Sequence, residues 1–202
     1  FTGEIIPKED MEMIAETARL SPSSFGLEPW KFLIVENKEL IKEISEVSWG
    51  FQRQASTTSH IVIALTKAGS EVKYDSDYIR NLWINTKGVS EEFFEGIKDV
   101  LKNFQVGKLE ADETNEKLLE WSKRQTYIAL GNMMTAAAMR EIDSCAIEGF
   151  DKEKVEEILA KKGLLDKEKY ELTYLIAFGY RKEEPNRKKS RLPKSEVIQW
   201  VE

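Results

Sequence analysis

Four short apolar runs divide this 202-residue chain, and segments with helical periodicity lie between them. The runs cover residues 32–35, 61–65, 145–147 and 172–178. Apolar runs of this length are typical of strands buried within a sheet. The chain is therefore predicted to form a central sheet with helices around it.

Helical periodicity separates these runs. It appears after Pro7 and after Asp151, which can cap its helix, and over residues 40–47, 72–83 and 93–104. A long helix is predicted from about residue 116 to 140, and residues 128–139 are rich in apolar and small residues on every side. That half is either buried within its own subunit or forms the core of a dimer, and both interpretations stay open. Residues 107–115 are mostly polar and are predicted to form a loop or helix junction.

Residues 20–32 connect the first helix to the first strand with three serines, two prolines, one glycine and three aromatic residues. Hydroxyls and backbone N–H groups in a glycine-permitted loop can bind a phosphate, a ribityl chain or the polar edge of a ring. The prolines limit the movement of such a loop. From these residues alone, an ordinary connection whose serines satisfy the turn backbone remains an alternative.

The string Ser-Pro-Ser-Ser-Phe-Gly-Leu-Glu-Pro-Trp-Lys-Phe at residues 21–32 resembles the signature loop of the FMN-dependent nitroreductase family. It is most similar to the oxygen-insensitive NAD(P)H nitroreductase branch. Two further segments resemble the same family in the same order: Ala-Ile-Glu-Gly-Phe at 146–150 and Lys-Ser-Arg-Leu-Pro at 189–193. Together the three segments span nearly the whole chain.

The resemblance implies an α+β fold with a mixed, mainly antiparallel central sheet surrounded by helices. It implies one domain over residues 1–202, a helical cap at about 71–120 and a C-terminal arm at about 185–202 that docks on a partner subunit. The domain would be completed by homodimerisation, with an FMN site at each subunit interface. The family also has an Arg-rich, Ser-containing segment just before the position of Phe1, which contributes to the FMN phosphate and ring edge.

The same resemblance assigns the cofactor contacts. Lys189 and Arg191 are expected at the FMN phosphate, where a guanidinium can donate two hydrogen bonds. The 148–150 turn is expected to face the flavin N5, with Gly149 allowing close approach of the backbone. The residues predicted to bind the cofactor are Ser21, Pro22, Ser23, Ser24, Gly26, Leu27, Gln52, Gln54, Ile147, Glu148, Gly149, Lys189 and Arg191.

A substrate pocket is expected over the flavin, lined by Phe25 and by Phe94 and Phe104 from the cap. An aromatic stripe at helical spacing is also typical of a packed core, so that interpretation stays open for the two cap residues.

Composition excludes several other classes of protein. A net charge of −6 argues against a general nucleic-acid binder. Cys145 is the only cysteine, which excludes an intrachain disulfide and a cysteine-rich metal cluster. His60, the single histidine, is expected to be structural, and no metal is predicted. Neither a membrane span nor a signal peptide is recognisable, so a cytoplasmic protein is expected.

The resulting expectation is a flavoenzyme in which NADPH or NADH reduces FMN, which then reduces a nitroaromatic, quinone or related small-molecule acceptor. The sequence has neither a Rossmann fingerprint nor a P-loop, which favours one shared site and a ping-pong mechanism. No side chain is predicted to be catalytic, because the flavin carries the chemistry. The alternatives are a flavin, quinone or enone reductase of the same family, or a non-catalytic flavin-binding protein.

Overall fold

The computed structural model describes residues 1–111 and 114–202, and its centre is a four-stranded antiparallel sheet. The strands follow the order β1-β2-β4-β3, so β2 and β4 are central. Each predicted apolar run lies within one strand, which confirms the prediction of a central sheet. The strands are β1 Trp30–Val35, β2 His60–Lys67, β3 Asp143–Ile147 and β4 Tyr170–Gly179.

Helices cover both faces of the sheet. They are α1 Lys8–Arg19, α2 Lys38–Glu46, α3 Asp77–Asn81, α4 Glu91–Gly107, α5 Glu116–Met139, α6 Lys152–Lys161 and α7 Lys194–Val197. The predicted cap at the start of α6 is confirmed, because the Asp151 carboxylate accepts a hydrogen bond from the Lys154 amide at 3.2 Å. The predicted long helix is α5.

The central strands supply alternate side chains to two apolar layers, as the period of a strand requires. Ile61 and Ile63 point into the layer that packs against α2 and α6. Val62 and Ala64 point into the opposite layer, against α1 and α5. All eight residues of β2 are buried, which explains its continuous apolar run.

The cap differs from the prediction at its first helix. The apolar spacing over residues 72–83 predicted one helix, but α3 begins only at Asp77 and continues into a π-helical turn, Leu82–Thr86. The Ser76 side chain accepts a hydrogen bond from the Ile79 amide, so it caps the helix and sets the later start. Residues 112 and 113, within the predicted 107–115 connection, lie outside the described residues.

The last part of the chain, residues 181–202, is exposed throughout. It carries large apolar side chains, of which Trp200 is 81% and Val201 87% exposed. At its start, the Arg181 guanidinium pairs with the Asp143 carboxylate at 2.6 Å, which fixes where the arm leaves the sheet. Among the described residues, no helix combines the length and apolar character that crossing a membrane requires.

Candidate functional site

The loop between α1 and β1 has an unusual backbone. Phe25, Gly26 and Glu28 have φ values of 55°, 60° and 49°, all in the left-handed region. Each non-glycine residue there costs about 1–2 kcal/mol, so tertiary contacts must hold the loop. The loop is therefore a fixed structure rather than a slack connection.

Two of the three serine hydroxyls in this loop form hydrogen bonds with the protein's own backbone. Ser21 Oγ donates to the Thr17 carbonyl at 2.8 Å, and Ser23 Oγ accepts from the Glu28 amide at 2.9 Å. The Ser24 hydroxyl forms no hydrogen bond within the described part of the chain. The alternative of serines that stabilise the turn thus applies to Ser21 and Ser23, and Ser24 retains a hydroxyl that could reach a ligand.

Helix α5 supports this loop with two polar side chains that the sequence analysis did not identify. Gln125 Oε1 accepts from the Ser24 amide at 2.9 Å, and Asn132 Nδ2 donates to Ser21 Oγ at 2.8 Å. The two residues are seven positions apart and so lie on one side of the helix. Two side-chain amides at this spacing were the available signal.

The three predicted pocket residues separate into two environments. The Phe25 ring lies 5.1 Å from the Phe104 ring, which lies 5.5 Å from Trp121. Phe25 and Phe104 are both half-buried, so they remain available to line a pocket. Phe94 is only 3% exposed and lies in the cap's apolar cluster, which favours the core interpretation for this residue.

A second group of predicted residues meets where two turns touch. The Gly50 amide donates to the Gly149 carbonyl at 2.8 Å, which joins the 49–55 segment to the turn after β3. Gln54 Nε2 donates a hydrogen bond to the Gly50 carbonyl at 3.4 Å. Gln52 is exposed, and Ile147 is buried beside Gly50. The structure thus brings together the predicted contacts from these two segments.

Gly149 is constrained by this contact. A Cβ at this position would lie 2.8 Å from Trp49 Nε1 and 3.2 Å from the Gly50 Cα. The family resemblance implies a close approach of the flavin ring at this glycine. Within the chain, the space is already required by packing between the two turns.

Glu148 is exposed, and its carboxylate accepts a hydrogen bond from the Tyr127 hydroxyl of α5. Burial and the neighbouring Glu148 raise the pKa of Tyr127, so this hydroxyl keeps its proton at neutral pH. A cleft of about 370 Å³ opens beside the pair, with Phe150 and Thr173 in its wall. The cleft combines a flat ring, an acid and a hydroxyl donor.

Lys189 and Arg191 lie on the exposed arm, and no contact in the described part of the chain links them to either group of residues. Neither side chain forms an ion pair there, and the Arg191 guanidinium donates only to the adjacent Ser190 carbonyl. Unpaired cations of this kind suit an anionic ligand such as a phosphate ester.

The loop and the Glu148 turn flank the exposed side of α5. Gln125 holds the loop and Tyr127 holds the turn, and two helical positions are about 200° apart around the axis. Between them lies a solvent-exposed stripe that includes Ile128, Gly131 and Thr135. A ligand that touches both flanks must therefore bridge this stripe, which one copy of the chain leaves uncovered.

His60 is buried and satisfied, as the sequence analysis expected of a structural histidine. Its Nδ1 lies 2.8 Å from Ser59 Oγ, and its Nε2 lies 3.6 Å from the exposed Glu36 carboxylate. Burial lowers the pKa of the imidazole. The residues that the structure describes include no cluster of acidic, cysteine or histidine side chains able to hold a metal.

Comparison with known proteins shows the same similarity along nearly the whole chain. The profile of the Nitroreductase family matches residues 1–180. The Bacillus subtilis (strain 168) protein named "Putative NAD(P)H nitroreductase YfkO" is 42% identical over 196 residues, which cover 97% of this chain and 88% of that protein.

Solved structures share the fold at lower identity. One is a structure named as a putative nitroreductase in complex with FMN, from Exiguobacterium sibiricum 255-15. It has a TM-score of 0.72 and 21% identity, over 99% of this chain and 90% of that one. The enone reductase CLA-ER has a TM-score of 0.73 and 22% identity, over 100% and 90%.

Proposed function

This chain belongs to the nitroreductase family, and we propose that it is an FMN-dependent oxidoreductase that uses NADPH or NADH to reduce nitroaromatic, quinone or related acceptors. The observation that carries the proposal is the coincidence of family membership with the two groups of predicted cofactor residues that flank α5. The described residues fit FMN, since they offer a constrained loop, a glycine turn beside a cleft with an aromatic ring in its wall, and unpaired cations for a phosphate.

The active unit is a homodimer in this proposal. A twofold interface pairs one surface patch with its own copy. If the exposed stripe of α5 packs on the same stripe of a second subunit, the loop of one subunit comes to face the Glu148 turn of the other. The exposed apolar arm then has a partner surface on which to dock, and it carries Lys189 and Arg191 to the same site.

Mixed dimers test this composite site. One variant would carry Gly26→Val in the loop, and the other would carry Lys189→Ala and Arg191→Ala on the arm. Each variant alone should lose most FMN binding, while mixed dimers should regain one intact site. Recovery requires that each site take its loop from one subunit and its arm from the other, so no recovery in mixed dimers that still form would contradict this arrangement.

In this proposal the protein's own residues bind and orient the cofactor and the substrates, and they form no covalent intermediate. When bound, FMN supplies the two-electron chemistry. The loop from residue 21 to 27 and the 148–150 turn hold the cofactor at its edges, and the two cations hold its phosphate. Phe25 and Phe104 give the half-buried apolar wall on which a flat donor or acceptor can lie. The Tyr127–Glu148 pair holds one proton at the mouth of the cleft.

Donor and acceptor would use this site in turn, by a ping-pong mechanism. The sequence offers no separate dinucleotide-binding fingerprint, and two flat molecules cannot both lie against one reacting atom. Initial rates over a grid of both substrate concentrations should give parallel double-reciprocal lines. Intersecting lines would point instead to a complex that holds both substrates.

Two alternatives remain within reach of simple assays. A flavin or enone reductase would use the same site and cofactor, and comparison of kcat/KM for nitroaromatic, quinone, enone and free flavin acceptors separates them. A non-catalytic flavin-binding protein would bind FMN without its reduction by NADPH or NADH.

A further inference from the structure

A buried lysine lies between two aromatic rings beside the loop that joins α1 to β1, which is called the cofactor loop from here on. The Lys67 side chain is only 8% exposed, and its Nζ lies 3.9 Å from the centre of the Tyr78 ring and 4.5 Å from that of Tyr170. Glu71 adds a carboxylate oxygen 3.5 Å away. A buried cation needs such compensation, and the faces of aromatic rings provide part of it. Lys67 therefore fixes the position of the Tyr78 ring.

The hydroxyl of this tyrosine meets the cofactor loop. Tyr78 Oη lies 2.7 Å from the Leu27 carbonyl oxygen and 2.9 Å from that of Glu28, so its single proton is shared between two acceptors. Burial, with the nearby Glu28 charge as a further cause, raises the pKa of Tyr78. The hydroxyl consequently remains a donor over the physiological pH range.

The contact falls where the loop is most strained. Glu28 has a φ of 49°, and Phe25 and Gly26 just before it are also left-handed. The strand that carries Lys67 also holds the far end of the loop, because the Lys67 amide donates to the Pro29 carbonyl at 2.9 Å. The side chain and backbone of one lysine thus act on the same short segment, once through Tyr78 and once directly.

We propose that Tyr78 is a positioning residue for the cofactor, and that its hydroxyl, held in place by Lys67, keeps residues 25–28 in the conformation that binds FMN. The inference rests on the proposed function, because it takes this loop as part of the FMN site. Tyr78 touches the loop backbone and acts through it.

The test compares Tyr78→Phe with Tyr170→Phe. The first variant removes the hydroxyl that holds the loop and keeps the ring over Lys67. The second removes the hydroxyl from the other ring of the same cage, and that hydroxyl forms no hydrogen bond in the described part of the chain. Lys67→Met keeps much of the side-chain volume and removes the charge. It therefore tests whether the Lys67 ammonium holds the Tyr78 ring in place.

Three measurements apply to each variant. Hydrogen exchange of the protein without FMN, followed in a peptide over residues 20–32, reports the order of the loop. Fluorescence titration gives the Kd for FMN. The visible absorption band at saturating FMN reports the surroundings of the bound ring, which a general loss of stability would not change.

Tyr78→Phe should speed exchange in the 20–32 peptide, weaken FMN binding about tenfold and shift the bound band towards that of free FMN. Tyr170→Phe should stay within about twofold of the wild type, a change too small to reflect a lost hydrogen bond. Lys67→Met should change in the same direction as Tyr78→Phe. Unchanged exchange and affinity in Tyr78→Phe would overturn the proposal, and so would equal losses in the two tyrosine variants.

Failure of the proposed function gives a different result. If the wild-type protein binds no FMN, the proposed function is wrong. The comparison of hydrogen exchange without FMN still decides whether the Tyr78 hydroxyl orders the loop.

Discussion

Gly149 has a role in packing beyond the one that the family resemblance implies. The sequence placed it in a turn after an apolar run, and the resemblance attributed it to approach of a flavin ring. The structure adds a contact that no local pattern reveals, since Trp49 and Gly50 come from a segment about one hundred residues earlier. Close packing between distant turns has no signature in the sequence.

Gly149→Ala should therefore destabilise the protein before FMN is considered. Its Cβ would meet Trp49 Nε1 at 2.8 Å and the Gly50 Cα at 3.2 Å. The exposed Trp49 ring can move away, but the Gly50 backbone is held by its hydrogen bond to the Gly149 carbonyl, so the expected cost is about 1 kcal/mol, the low end for overpacking. Denaturant unfolding of the protein without FMN measures the loss. Gly96→Ala is the control, because a Cβ at this position in α4 meets no other atom within 4 Å. A Gly149→Ala variant as stable as wild type would leave ring approach as the sole reason for the glycine.

Lys189 and Arg191 are the residues expected to bind the cofactor phosphate. Replacing both with Ala should weaken FMN binding on the order of 100-fold, because each charge-assisted hydrogen bond contributes about 1.5–3 kcal/mol. The matched control replaces Arg187 and Lys188, which are equally exposed on the same arm and carry the same total charge. Fluorescence titration measures the FMN affinity of both double variants. An equal loss of affinity in the two would mean that the arm attracts FMN only through its overall positive charge.

His60 should make stability depend on pH. Burial lowers its pKa in the folded protein, with Glu36 opposing and Lys38 reinforcing the shift. Below the unfolded pKa of about 6.5 the unfolded chain binds the proton more readily, so stability falls as pH decreases from there towards the folded pKa. The slope is at most about 1.4 kcal/mol per pH unit.

His60→Asn should flatten this part of the curve of unfolding free energy against pH. His60 is the only histidine, so the difference between the two curves belongs to this residue. Parallel curves for wild type and variant between pH 5 and 7 would show that the buried imidazole does not resist protonation.

Among the elements, those with strong apolar patterns were predictable. β2 is buried on both faces along its whole length and β4 from Tyr174 onwards, so apolar residues predominate in both strands. The cap was less predictable, because apolar side chains over residues 72–83 pack into its core both from the irregular stretch before Asp77 and from α3 itself. Apolar spacing reports burial, and here burial did not require one regular helix.

Helix α5 has one face buried within the subunit and another face exposed. Its sequence is compatible both with burial within the subunit and with a dimer core. The structure buries Ala129, Met133 and Ala137 against the sheet and leaves Ile128, 40% exposed, on the opposite side. Both interpretations can therefore hold for different faces of one helix.

Ile128→Asp should convert the proposed dimer into monomers. A charge at this position is tolerated in an isolated subunit, where it meets water, but it is costly in an apolar interface. Light scattering coupled to size-exclusion chromatography measures the mass, and FMN binding should fall with the dimer. Val100→Asp is the control, since Val100 is 54% exposed on α4, away from the α5 stripe. A dimeric Ile128→Asp variant would place the interface elsewhere.

At the scale of the whole molecule, the proposed site would draw on parts that the chain holds far apart. The family resemblance assigned the loop, the 148–150 turn and the arm to one cofactor, whereas the structure places them on two sides of α5 and on an exposed tail. No analysis of a single sequence could derive this separation, because it depends on which side of a helix each segment packs. In the proposed dimer, a second copy of the chain would bring these parts together through symmetry.

The central claim is that this protein binds FMN and passes electrons through it from a nicotinamide donor. The most direct measurement is the visible absorbance of the FMN-loaded protein while NADPH or NADH is added without oxygen and without acceptor. The account predicts that the flavin band bleaches, with one equivalent of donor per bound FMN, and returns when a quinone or nitroaromatic is added. Bound FMN that stays oxidised with both donors, or a full-length protein that retains no FMN, would contradict it.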